Sequence, residues 1–159
     1  MHHFEATLKL PISLEEAWDF FSSPKNLKVI TPEELNLVPI TPLAERMYPG
    51  QFIQYKVKPL FGIPMTWVTE ITHVKEMEYF IDEQRVGPYK IWHHQQHFKA
   101  IEGGVEMTDI LDYLLPLGPI GVLTEAILVG GEVKKIFEFR TKRLHELFGK
   151  FTEAQPQHY

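Results

Sequence analysis

Cysteine is absent from this 159-residue chain. That excludes disulfides, cysteine-based metal sites and thiol nucleophiles, and it fits a reducing compartment, so a cytoplasmic setting is expected. Long apolar runs are missing too. The longest, Leu114 to Leu123, is broken by Pro116 and Pro119 and falls well short of the ~20 residues a bilayer-crossing helix needs. The opening MHHFEATLKL lacks a basic segment followed by an apolar one, so no secretory leader is expected. Positive charge is in deficit, with 16 Lys and Arg against 21 Asp and Glu, clustered only at Lys134-Lys135 and from Arg140 to Arg143. Nucleic acid is therefore not an expected partner. No nucleophile motif, phosphate loop or cofactor fingerprint occurs, which argues against a bound cofactor and weakens an enzymatic reading.

What remains is ordinary globular material, 44% hydrophobic and 23% charged, in a length that suits one domain. That domain is expected over residues 1–149, with 150–159 as a flexible tail.

The most informative stretch is Pro88 to Pro119, where two alternating runs flank Gly103-Gly104. Two glycines can supply the positive φ angles of a two-residue hairpin turn. With both in the loop, Glu102 lies opposite Val105. Phe98 then faces Asp109, Gln96 faces Leu111, His94 faces Tyr113 and Trp92 faces Leu115, all on one side of the sheet. That side mixes Trp, Phe, Leu and Met with four polar tips, more than a plain core uses, and suggests a ligand pocket. The other side carries His93, Gln95, His97 and Lys99 and suits solvent.

Elsewhere the period sets the elements. His2 to Leu10 alternates with Phe4, Ala6, Leu8 and Leu10 on one side, as a half-buried strand does. Ser13 with Glu16 reads as a capping box for a short helix carrying Leu14, Ala17, Trp18 and Phe21. Ser23-Pro24 starts a second short helix to about Val29. Leu35 to Ile40 suits an edge strand limited by Pro39. Gln51 to Lys58 places Tyr55 with Ile53 and Val57, Met65 to Lys75 places Trp67 and Thr69 with Ile71, and Met77 to Val86 places Phe80, Asp82 and Gln84 together. From about Glu132, the residues Val133, Ile136, Phe137, Leu144, Leu147 and Phe148 recur at helical spacing, with Gly149 as the stop and an upstream extension over 120–129.

Strand, two short helices, about six to seven strands in all and one long carboxy-terminal helix predict an α+β helix-grip, a curved antiparallel sheet wrapped around that helix. One helix is too narrow to fill such a concavity, which leaves a space. In this order of elements the chain resembles the SRPBCC, or START-like, superfamily that includes the birch pollen allergen and polyketide cyclases. Gly87-Pro88-Tyr89, Trp92-His93-His94, Phe98, Gly103-Gly104, Met107-Thr108-Asp109, Tyr113 and Pro116 look like a bacterial ligand-binding subgroup of it. Some members of that subgroup carry a cell-division-inhibitor label, and similar domains are fused to sugar-nucleotide-epimerase-like domains.

The resemblance implies binding of a small, mostly hydrophobic ligand, such as a lipid, an isoprenoid or an aromatic polyketide, by a monomer or homodimer. The residues that would face it are Tyr55, Trp67, Thr69, Phe80, Asp82, Gln84, Trp92, His94, Gln96, Phe98, Asp109, Leu111 and Tyr113 on the sheet, and Ile136, Phe137 and Arg140 on the helix. Leu60, Phe61, Ile63, Leu117 and Ile120 lie in oddly apolar connectors and would form the cavity entrance, a dimer contact or a lipid-facing rim. Two alternatives stand beside this reading. One is a cyclase, aromatase or dehydratase with His94 as general acid or base and Asp109 or Tyr113 orienting substrate. The other is a protein-interaction module that uses the apolar loops. A metal site is not expected. His93 and His97 share a strand face but sit roughly 13 Å apart, too far to share one ion.

Overall fold

The computed structural model describes residues 1–59, 62–116 and 130–153. The first strand, β1 (His2–Leu10), ends at Pro11, and α1 (Leu14–Phe21) follows at once. Its start is fixed by Ser13, whose hydroxyl accepts the Glu16 backbone N–H at 3.0 Å, satisfying a donor that the helix itself cannot. Two 3-10 helices, Pro24–Ile30 and Glu33–Leu35, carry the chain across to a two-residue edge strand, β2 (Val38–Pro39). Then come β3 (Gln51–Val57), β4 (Met65–Lys75), β5 (Tyr79–Val86), β6 (Ile91–Ile101) and β7 (Gly104–Leu114), and finally α2 (Gly130–Phe148). Gly149, at φ 90°, ends α2 and donates its N–H to the His145 carbonyl. The seven strands form one antiparallel sheet in the order β1-β7-β6-β5-β4-β3-β2. The architecture is the α+β helix-grip that the order of elements predicts.

The β6–β7 hairpin differs from expectation by two residues. Ile101 pairs with Gly104, so Glu102 and Gly103 form the loop, and the register places Phe98 opposite Met107, Gln96 opposite Asp109, His94 opposite Leu111 and Trp92 opposite Tyr113. The reason lies in the second glycine. Only Gly103 has positive φ, at 78°; Gly104 is in the strand, where a Cβ would stand 2.1 Å from the Leu10 carbonyl oxygen. It is glycine because β1 passes over it, and not because the turn needs it. Slipping by two preserves every side chain's face, so the inward set is unchanged while each cross-strand partner is replaced.

Smaller departures follow the same logic. The expected edge strand from Leu35 shrinks to Val38–Pro39 because Glu33–Leu35 closes a 3-10 turn and Asn36 takes positive φ. Met77, at φ 63°, belongs to the turn before β5 and not to the strand. Leu147 shares the helical spacing of the apolar residues of α2 yet is 43% exposed, at the outer margin of its last turn. The expected extension over 120–129 lies outside the described residues.

Buried side chains among the described residues form three clusters in place of one core. Leu10, Trp18, Phe21, Phe80, Phe98, Met107 and Leu144 gather under α1. Leu111, Tyr113, Val133 and Phe137 pack under α2 with Phe4, whose ring lies 4.6 Å from that of Phe137. Ile53, Tyr55, Val57 and Ile71 hold the β3–β4 side against Leu27, Leu37 and Met47. Two register shifts in the β4–β5 ladder, at Val68/Thr69 and Ile71/His73, bend the sheet there. Beyond α2, Phe151 lies beside Gly103 and Gly104 with the Lys9 ammonium above its ring and Glu153 paired to Lys9 at 3.1 Å.

Candidate functional site

Where the three clusters fail to meet there is a cavity of about 190 Å³, far above the roughly 10–15 Å³ that admits one water. Its floor is the concave sheet, with Tyr55, Trp67, Thr69, Ile71, Phe80, Asp82, Trp92, His94 and Gln96. One wall is the segment after α1, with Leu27, Ile30 and Leu35, and another is α2, with Glu132, Ile136 and Arg140. The walls are mainly apolar and aromatic; Trp67 stands edge-on to Trp92 at 5.2 Å, and Tyr89 lies 4.7 Å from Trp92.

Through the floor runs an alternating chain of charges. His94 Nδ1 donates to Asp82 Oδ1 at 2.9 Å and His94 Nε2 donates to Asp109 Oδ1 at 2.8 Å, while Arg140 Nη1 reaches the same Asp109 oxygen at 3.1 Å. Burial by itself would lower the His94 pKa. The charge of Asp82 and the hydrogen bonds to Asp109 and Asp82 outweigh it and hold the imidazole up at about 9. His94 is thus an imidazolium with both N–H groups engaged. Two carboxylates and two cations balance, which is how so many charges are tolerated with His94 only 7% and Asp109 only 5% exposed. Asp82 also receives the Thr69 hydroxyl at 3.3 Å. Its charge, after burial, pushes the Tyr55 phenol upward and keeps it protonated.

Three buried polar atoms have no hydrogen-bond partner among the described residues: Tyr55 Oη, Gln96 Nε2 and Arg140 Nε. All three residues line the cavity. Buried polar atoms are paired in the great majority of cases, so their convergence on one space points to a function for that space.

Of the expected ligand-facing residues, the structure brings Tyr55, Trp67, Thr69, Phe80, Asp82, Trp92, His94, Gln96, Ile136 and Arg140 to the cavity. The others lie elsewhere. Gln84 turns back on its own strand end, donating from Nε2 to the Tyr89 carbonyl at 2.6 Å and accepting the Tyr89 N–H at 3.1 Å. Phe98 packs on Trp18 at 5.4 Å under α1. Leu111, Tyr113 and Phe137 belong to the cluster under α2, and Asp109 sits behind His94. The expected His94–Tyr113 pairing is replaced by His94–Asp82 and His94–Asp109. Ile63 is 56% exposed; Leu60, Phe61, Leu117 and Ile120 lie outside the described residues. The wall made by Leu27, Ile30, Leu35 and Met47 was not foreseen, because 3-10 turns and loops carry no period to read. Tyr89, beside the Gly87-Pro88 turn, stood among the residues that carry the resemblance, but no strand period marked it as facing the cavity. Among the described residues no group of His, Cys, Asp and Glu is arranged to hold a metal ion, and no helix is long and apolar enough to cross a membrane.

No protein-family model matches the chain, and no curated protein does. Solved structures match it at the level of fold. Protein Ms6760 from Mycobacterium smegmatis superimposes with a TM-score of 0.66 at 18% identity, covering 91% of this chain and 89% of that one. Ara h 8.0201 gives a TM-score of 0.56 at 12% identity over 91% of this chain and 98% of that one. The nucleoside-diphosphate sugar epimerase from Corynebacterium glutamicum gives 0.60 at 23% identity, covering 90% of this chain but only 28% of the larger protein. With these likenesses and the sheet packed with α2, the fold is a helix-grip, shared with these structures. At such identities the likeness carries the architecture and no ligand.

Proposed function

We propose that this protein binds a small, mostly apolar molecule, of the size and character of an isoprenoid, a lipid fragment or an aromatic polyketide, inside the cavity between sheet and α2. The observation that carries the reading is the cavity itself, an aromatic and aliphatic space left open where three core clusters border it. Closed, mainly apolar concavities with a few fixed polar groups are how proteins take up such ligands. The cytoplasm is the setting proposed, and a single chain supplies every wall named, so a monomer suffices and a homodimer is compatible. The geometry of His94 favours binding over catalysis. An imidazolium with both N–H groups committed to Asp82 and Asp109 has no lone pair to act as a base, and both its protons are held by carboxylates. Its role here is to hold the floor rigid and charge-balanced.

The test is titration with N-phenyl-1-naphthylamine, an uncharged probe whose emission rises in apolar surroundings. Saturable one-to-one binding is expected, with displacement by small aromatic competitors. Emission that climbs without saturation would mean surface adsorption and remove the proposal. Native mass spectrometry of protein purified from its source would then identify what occupies the cavity.

A further inference from the structure

We infer that the cavity's ligand presents an uncharged oxygen acceptor, of the ketone or quinone carbonyl type, to Gln96 Nε2 and Arg140 Nε. This rests on the ligand-binding reading above and narrows it. Gln96 is 2% exposed and stands on the β6 floor, yet its amide nitrogen has no partner among the described residues. Arg140 commits Nη1 to Asp109 and leaves Nε without one. The two residues meet at Asp109, since Gln96 lies directly opposite it in the β6–β7 ladder and Arg140 is bonded to it. Both free groups are N–H donors, so what they lack is an acceptor. A carbonyl oxygen has two lone pairs and no proton of its own, and can satisfy both at once.

Charge decides between a carbonyl and a carboxylate. Asp82 and Asp109 are already matched by His94 and Arg140, and Glu132 at the wall is paired with Lys135 at 2.7 Å. A carboxylate would add one unmatched negative charge to a buried site that already holds Asp82, which is strongly unfavourable. An ammonium has no lone pair and could not accept from Gln96 Nε2 or Arg140 Nε. The aromatic faces of Trp67, Trp92, Tyr89 and Phe80 suit a flat ring system on which such a carbonyl is carried.

Three matched probes test this by calorimetry at pH 7 on the full chain: 2-acetylnaphthalene, its 2-isopropenyl analogue in which C=CH2 replaces C=O, and 2-naphthoate. The ketone is expected to bind about 10-fold tighter than the alkene, and the naphthoate more weakly than either. Gln96→Met and Arg140→Lys, the latter keeping the charge beside Asp109, should each narrow the ketone-to-alkene ratio to within about two-fold. In the unaltered protein, the carbonyl carbon of 13C-labelled ketone should move downfield from its position in an aprotic solvent, a readout that does not depend on either variant folding. Equal affinities of ketone and alkene, or an unmoved carbon resonance, overturn the inference and leave the cavity reading intact. A naphthoate that binds tightest overturns the uncharged acceptor. Failure of all three probes to bind overturns both readings.

Discussion

At His94, burial and partnership pull one proton in opposite directions. Partnership wins, with the pKa raised from 6.5 to about 9, so the folded state holds a proton that the unfolded chain releases earlier. The stabilisation from this group is therefore complete below about pH 6.5 and is lost as the pH climbs through about 9. Unfolding free energy measured by denaturant titration should fall by on the order of 3 kcal/mol between pH 6.5 and 9.5, and His94→Gln should flatten that decline. A flat profile in the unaltered protein would mean that the imidazole is neutral. How much of this was readable from the chain differs residue by residue. An inward carboxylate at Asp109 announces that it needs a partner, and strand alternation is enough to place it inward. Which partner it finds depends on a hairpin register and on the rotation of α2, and neither is encoded locally. That is why His94 and Arg140 could be picked out as candidates while their joint attachment to Asp109 could not.

Elements were legible where hydrophobic period is strong and opaque where the backbone answers to a distant strand. The β strands and α2 show this clearly, since their faces follow from alternation alone and survive even a two-residue error in pairing. Gly103-Gly104 shows the limit. From the sequence, both glycines look like turn residues, but the steric demand on Gly104 comes from Leu10, 94 positions away. The two positions should respond oppositely to substitution. Gly103→Asn, at φ 78°, should cost under about 1 kcal/mol because asparagine tolerates that conformation. Gly104→Ala, which drives a methyl against a backbone oxygen 2.1 Å away, should cost about 1–3 kcal/mol and perturb the β1–β7 ladder. Thermal melts of the two variants decide the matter, and equal losses would show that the close approach relaxes freely. The 3-10 wall after α1 has no sequence period at all, so that side of the cavity became visible only in three dimensions.

For the whole molecule, the open space in the core is the feature with the widest reach. A protein that needed only stability would fill it, and filling it should separate fold from function. Ile136→Trp places bulk from α2 into the void. It is expected to leave Tm within about 3 °C, equivalent to under about 1 kcal/mol, while abolishing saturable uptake of the naphthylamine probe. Unchanged uptake would mean that the probe binds elsewhere. The helix-grip itself could be read from the order of elements, because an antiparallel sheet and a single long helix bury their apolar faces by packing against each other. The same arrangement also governs how the chain comes off the ribosome. β1 is made first, but its ladder partner β7 pairs Val105 with Leu10 and Tyr113 with His2. At roughly 5–20 residues per second, the nascent β1 waits about 5–20 seconds for a strand to join, its apolar Phe4, Leu8 and Leu10 without their sheet. Glu5 and Lys9, alternating with them on the outward face, are the charges that discourage a neighbouring nascent chain from pairing there first.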